Sequence, residues 1–218
     1  MRRHLQPELL DTLPADSPAA CRSRRDLVRL NKIMGNTPWF TRTVPGLARP
    51  GDAAIELGAG DGRLALALRA AGVPTDALDR FPAPTEWASA APADARWHIN
   101  DLCAFTGWAD YAVVVGNLIL HHLDAPALAA LGTQLDRHAH ALVFNEPLRH
   151  PRIRLLWAVG APLGGAGPVT RHDGRVSIEA GFRDDDLPCL LALPAERWSW
   201  QITSSLLGAY RFVATRRP

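Results

Sequence analysis

Lysine is almost absent. Lys32 is the only one in the chain, so nearly all of the basic residues are arginines. No Gly-Lys-Ser/Thr occurs, which excludes a P-loop phosphate cradle. Schiff-base chemistry would depend on that one lysine, within an expected helix, and is disfavoured. Cysteine is scarce too: Cys21, Cys103 and Cys189 are odd in number and far apart. That pattern fits neither a disulfide framework nor the paired ligands of a zinc site, so a reducing cytoplasm is the expected compartment. No apolar run approaches the roughly 20 residues that a membrane span needs. The nearest, 155–167, is broken by Pro162 and several glycines. Met1-Arg2-Arg3-His4 leads into polar, proline-broken sequence, so no signal peptide is expected. A formal net charge of +2, with no basic stripe interleaved with aromatics, argues against a nucleic-acid partner.

What is present suits one α/β domain. The chain has 218 residues, 47% of them hydrophobic, enough to bury a sizeable core. Residues 1–20 are rich in proline and in acidic or small residues and read as a loosely ordered arm. The spacing of Leu27, Leu30 and Met34 predicts a helix over 24–34, capped by Ser23 and stopped by Gly35. Pro38, Pro45 and Pro50 predict a broken connector over 38–52. From residue 53 onward the pattern alternates. Strands are expected at 53–57, 76–78, 97–99, 111–115 and 141–144. One intervening helix carries Leu64, Ala67, Leu68 and Ala71, and another opens at Asp124-Ala125-Pro126 and carries Leu128, Leu131 and Leu135. Such alternation means a parallel sheet with helices on both faces, a Rossmann-like α/β fold. Segments 197–203 and 209–215 read as an antiparallel hairpin at one edge. The expected organisation is an arm and helical lid over 1–50 and the main domain over 51–218, together one compact unit.

The first strand runs into Glu56-Leu57-Gly58-Ala59-Gly60-Asp61-Gly62. Glycines here allow a sharp turn and a close approach of ligand to backbone amides, and in parallel sheets ligands sit beyond the carboxyl ends of strands. Arg63 stands where a dinucleotide fingerprint would place its third glycine, and Glu56 would oppose a pyrophosphate. A nicotinamide-dependent dehydrogenase is therefore disfavoured. The second strand ends at Asp79, an acid suited to ribose hydroxyls, and the third ends in Asn100-Asp101-Leu102.

These residues, with Gly116-Asn117-Leu118-Ile119-Leu120-His121-His122-Leu123, resemble the class I S-adenosylmethionine-dependent methyltransferase family, specifically its small-molecule branch. The resemblance covers most of the chain. It implies a seven-stranded sheet with a C-terminal antiparallel hairpin, and S-adenosylmethionine as cofactor. It also implies roles: Gly58, Ala59, Gly60 and Gly62 around the methionyl part, with Glu56 near its amino group. Asp79 would hold the ribose, Arg80 or a neighbour would lie against adenine, and Asp101 with Leu102 would recognise the adenine edge. Asn117 would sit beside the methyl donor. A narrower likeness, carried by Arg171-His172-Asp173-Gly174 and the 25–36 helix, points to polyketide, phenolic or lipid-like acceptors.

Methyl transfer asks the protein for in-line positioning and, for an acidic acceptor, a base. His121, His122 and His172 are the candidates, with His172 placed ahead of His121. The glycine- and proline-rich segment 161–174 is expected to build the acceptor side, Asp173 standing beside the imidazole and Gly174 allowing an inward turn. No metal is expected, because the neighbours His121 and His122 on a loop rarely face one ion. The absence of an Asn-Pro-Pro-Tyr-like tetrad at Gly116-Asn117-Leu118-Ile119 turns the acceptor towards oxygen or carbon. Arg149-His150-Pro151-Arg152-Ile153-Arg154-Leu155-Leu156-Trp157 reads as a helix with solvated arginines, or as a basic apolar lip for a carrier-bound substrate or membrane surface. The alternative function is a catalytically silent cofactor- or partner-binding domain of the same fold.

Overall fold

The computed structural model describes residues 1–14 and 16–218. Its strands are β1 (Ala54–Leu57), β2 (Thr75–Asp79), β3 (Trp97–Ile99), β4 (Val113–Asn117), β5 (Ala141–Pro147), β6 (Trp198–Ser204) and β7 (Ala209–Arg216). They form one sheet in the order β3-β2-β1-β4-β5-β7-β6. The first five are parallel, and β7 runs antiparallel to both β5 and β6. Among the described residues, three α-helices precede the sheet: α1 (Leu9–Thr12), α2 (Pro18–Met34) and α3 (Asn36–Thr43). The others are α4 (Arg63–Ala70), α5 (Thr85–Ala90), α6 (Ala125–His138), α7 (Pro151–Leu163), α8 (Pro168–Ala180) and α9 (Asp186–Leu190). The seven-stranded α/β architecture with its terminal hairpin is the expected one.

Strand side chains alternate between two layers, each buried against helices. Ile55, Leu57, Val114, Leu142 and Phe144 face one layer with Leu128, Leu131 and Leu135 of α6. Ala54, Val113, Val115, Ala141 and Val143 face the other with Leu64 and Leu68 of α4. Strand order reverses between β1 and β4. That opens a crevice at their carboxyl ends, where ligands bind in such sheets.

The N-terminal region departs from expectation. The second helix begins at Pro18, capped by Ser17, whose hydroxyl accepts from the Ala20 amide at 3.2 Å. Ser23, read as its cap, lies buried inside it, as does Asp26. Asp26 instead caps a different helix: its Oδ2 accepts from the Gly167 amide at 2.8 Å and the Thr170 hydroxyl at 3.0 Å, at the start of α8. Gly35 does stop α2, in the left-handed conformation, but α3 follows at once where a broken connector was expected. Phe40 of α3 and Val44 are fully buried beside Leu64 and Leu68, so this stretch joins the core rather than lying free above the sheet.

The residues before α2 are also placed. The Arg3 guanidinium donates to the carbonyls of Ala180 (2.8 Å), His121 (3.2 Å) and Leu123 (2.7 Å), and it lies over the Phe182 ring. The His4 amide donates to Glu179 O, and the Leu9 and Leu10 amides donate to the Asp173 carboxylate at 2.8 and 3.0 Å. Far from loose, the arm is strapped along α8. The segment 161–174, expected to build the acceptor side with a turn at Gly174, is mostly helix. Gly174 sits within α8, where a Cβ would stand 2.1 Å from the Trp157 ring of α7. The glycine serves close helix packing, not a turn.

Candidate active site

The crevice holds a cavity of about 620 Å³, within the size range of small-molecule sites. Its walls include Gly58 and Gly60 from the turn after β1, and Leu78, Asp79, Arg80 and Phe81 from the end of β2. Asn100, Asp101, Leu102 and Cys103 follow β3, and Ile119, His121, His122 and Leu123 follow β4. Leu5, Gln6, Pro7, Glu8 and Asp11 of the arm close one side. Four strand ends and the arm therefore converge on one space.

Gly58 has φ +61°, and a Cβ there would come within 2.5 Å of Ile119 Cδ1. Conformation and space both call for glycine. The Gly60 amide donates to Asp79 Oδ2 at 2.8 Å, and the Phe81 amide donates to Oδ1 at 3.0 Å. Each Asp79 oxygen thus keeps lone-pair capacity on the cavity wall, where a vicinal diol can donate to it. Phe81, Leu78 and Leu102 supply apolar wall around it. Arg80 bridges to Asp11 of the arm at 3.0 Å across the mouth. Asp101 Oδ1 accepts from the Cys103 amide at 2.8 Å. This set fits a nucleoside bearing a free ribose.

Other expected residues stand behind the wall. Glu56 is buried, and its carboxylate accepts from the Ala65 amide at 2.8 Å, bracing the start of α4 from beneath the glycine turn. Burial pushes its carboxyl well above the usual range, and the nearby Asp61 and Asp79 charges push the same way. Ala59 and Gly62 shape the turn without lining the cavity. Asn117 belongs to a chain of amides: its Nδ2 donates to Asn31 Oδ1 at 3.0 Å, and its Oδ1 accepts from Asn145 at 2.8 Å. His172 sits on α8, where its Nδ1 lies 3.0 Å from Asp173 Oδ1, and it is not among the cavity walls. Of the three candidate histidines, the structure brings His121 and His122 to the cavity and leaves His172 outside it.

The turn after β4 rests on a group that the sequence reading did not single out. Glu146, at the end of β5, is fully buried. Its carboxylate accepts from the amides of Ile119 (3.0 Å), Leu120 (2.8 Å) and His121 (3.3 Å), and from His121 Nδ1 at 2.7 Å. Leu118, just before, has φ +59°, an uncommon conformation for leucine that this cradle and the Leu118 amide bond to Asn145 O hold in place. The short 3-10 helix Leu120–His122 then sets the two imidazole rings side by side, centroids 4.2 Å apart. His121 Nε2 faces Glu8 Oε1 at 3.5 Å, and Glu8 also accepts from the Ser177 hydroxyl. Burial opposes a charge on His121, but Glu146 and Glu8 outweigh it and hold its pKa up at about 9. The partly enclosed His122 is shifted the other way, by its surroundings and by the His121 charge. A carboxylate closing the apolar strand 141–144 was a legible signal for Glu146. Nothing local marked Glu8.

No family model matches the chain, and no curated protein does. Solved structures do. The plantazolicin methyltransferase BpumL, in complex with SAH, aligns over 93% of this chain and 92% of its own with a TM-score of 0.69 at 10% identity. The pyocyanin biosynthetic protein PhzM aligns over 97% of this chain at 16% identity and TM-score 0.66, the match spanning 62% of PhzM. The magnesium protoporphyrin IX methyltransferase ChlM from Synechocystis PCC 6803, with bound SAH, aligns over 96% of this chain and 91% of its own at 16% identity and TM-score 0.54. At these identities the likeness is one of fold. The chain has the class I methyltransferase fold.

Proposed function

We propose that this protein transfers a methyl group from S-adenosylmethionine to an oxygen or carbon of a small-molecule acceptor. The observation that carries the reading is that Gly58, Gly60, Asp79, Asp101 and Leu102 all line one cavity at the reversal of strand order. BpumL and ChlM, which share the fold, were solved with S-adenosylhomocysteine, the product such a transfer leaves.

In this reading Asp79 accepts hydrogen bonds from the ribose hydroxyls. Asp101 and Leu102 meet the adenine edge, and Arg80 with its neighbour Phe81 flanks the base. Gly58, Ala59, Gly60 and Gly62 form the turn around the methionyl part. Glu56 acts on that part through the turn it braces, and Asn117, held between Asn31 and Asn145, fixes the floor beside the methyl donor. When bound, the sulfonium supplies the electrophile, so the protein's share is orientation and exclusion of water. The arm, with Leu5 to Glu8 on the wall, supplies that exclusion. The acceptor lies on the side of Glu8, His121 and His122, away from the glycine turn. Polyketide, phenolic or lipid-like compounds are the proposed acceptor class, and a reducing cytoplasm the proposed compartment. No helix of the described residues is long and apolar enough to cross a membrane.

Calorimetry with S-adenosylmethionine and S-adenosylhomocysteine tests the reading. Saturable micromolar binding is expected, and no heat at millimolar ligand overturns it. Binding without production of S-adenosylhomocysteine from any acceptor extract leaves the silent-domain alternative in its place.

A further inference from the structure

We propose that Glu8, His121 and His122 form a site for one divalent transition-metal ion, opening onto the cavity. Adjacent residues on a loop rarely face one ion. Here the 3-10 helix Leu120–His122 overrides that rule by placing both rings on one side, 4.2 Å apart. One ligand atom from each of the three residues lies within 4.8 Å of the other two. His121 Nε2 and Glu8 Oε1 are 3.5 Å apart, longer than a hydrogen bond and close to the roughly 3.4 Å between two ligands of a tetrahedral ion with bonds of about 2.1 Å. His122 lies beside His121 on the cavity wall and completes the set.

The surroundings match what a metal-binding histidine requires. A ligating imidazole usually donates its second N–H to a carboxylate, which fixes ring and tautomer. His121 Nδ1 does so to Glu146 at 2.7 Å, in full burial, leaving Nε2 directed at Glu8. Glu8 is fixed in turn by the Ser177 hydroxyl. The carboxylates of Glu8 and Glu146 balance a dication. Asp11 adds negative charge near this cluster, while the nearby guanidinium of Arg3 is committed to three carbonyls. Two imidazoles with one carboxylate select zinc, iron(II) or a similar ion over magnesium or calcium, which prefer all-oxygen sets.

Three protein ligands leave coordination positions open towards the cavity. On the methyl-transfer reading, on which this one further step rests, an acceptor hydroxyl takes such a position. The ion lowers its pKa, and its proton leaves to water. The new O–CH3 bond then forms as the S–CH3 bond breaks, releasing a neutral thioether.

The test uses tag-free, full-length protein stripped with a chelator and dialysed against Co2+ or Zn2+. Metal content, titration calorimetry and the visible Co2+ spectrum are the readouts. One ion per chain is expected, with Glu8→Gln and His122→Ala each weakening binding at least about 100-fold while circular dichroism stays native. Cys103→Ser, on the same cavity, should change nothing. The proposal is overturned by absence of binding at millimolar metal, by binding that survives both ligand substitutions, by binding lost in Cys103→Ser, or by a preference for Mg2+. S-Adenosylhomocysteine titrated into the same protein separates the two readings. Metal binding without nucleoside binding removes the methyltransferase and keeps the metal site, and the converse does the reverse.

Discussion

The Gly60 amide donates to the Asp79 carboxylate at 2.8 Å, tying the turn after β1 to the end of β2. One side chain therefore shapes the turn and offers its remaining lone pairs to the cavity. Asp79→Ala should weaken S-adenosylhomocysteine binding by about 10- to 100-fold, the range for losing hydrogen bonds to a charged group. Calorimetry alongside a thermal melt checks this. Unchanged affinity would remove Asp79 from the site.

Glu146 holds three backbone amides and His121 from full burial. Glu146→Ala orphans those donors and leaves the imidazole without its buried partner. A loss of about 3–5 kcal/mol is expected from urea denaturation. Glu146→Gln, which keeps an acceptor oxygen, should lose less.

Acid should destabilise the protein in a way that depends on Asp76. Burial works against its charge, but the Arg96 amide, the Tyr111 hydroxyl and the guanidiniums of Arg69 and Arg96 more than offset this and hold its pKa below the usual aspartate value. A carboxyl depressed on folding contributes fully above its unfolded pKa of about 3.9, and the contribution is lost as pH falls through the folded value. The urea midpoint should therefore drop between pH 5 and pH 2. Asp76→Asn should lower it at pH 7 and shrink that drop. An equally steep acid limb in the variant would contradict the assignment.

His172 lies outside the cavity walls, bonded to Asp173, which holds the arm. Turnover of His172→Ala should stay within about threefold of the parent. A fall of about 10²–10⁴-fold with cofactor affinity intact would restore it as the base.

Removing residues 1–40 would take Phe40 out of the core, so the arm is better tested at Arg3. Arg3→Ala removes a guanidinium shared among the carbonyls of Ala180, His121 and Leu123. Hydrogen exchange at Leu9 and Leu10 should rise while exchange in β1 and β4 stays unchanged. Cofactor affinity should fall with it. Protection of both regions left intact would mean that the arm is held elsewhere.

Local pattern carried the sheet well, because each buried strand is a short apolar run bounded by turn residues. Residues 97–99 are a strand as read, and β1 differs by one residue. The glycine turn with Asp79 and Asp101 was legible because those residues lie at strand ends, where position along one strand settles which rim they reach. Glu8 was not. Its place beside His121 depends on Arg3 and Asp173, contacts made across more than a hundred residues, and no local spacing encodes them. His172 was misplaced for a related reason. Gly174 looks like a turn in isolation, and only the Trp157 ring of α7 shows why a helix needs glycine there.

The sheet order also constrains the sequence of events in folding. Strand β6 is made before β7, yet β7 lies between it and β5. A nascent chain that has emerged through β6 has a completed parallel half with an unpaired β5 edge, and a sixth strand with no neighbour. Two open edges coexist until the final strand threads between them, which is when pairing with another chain is easiest. Ribosome stalling or proteolysis before Ala209 would thus yield an aggregating species rather than a smaller working domain.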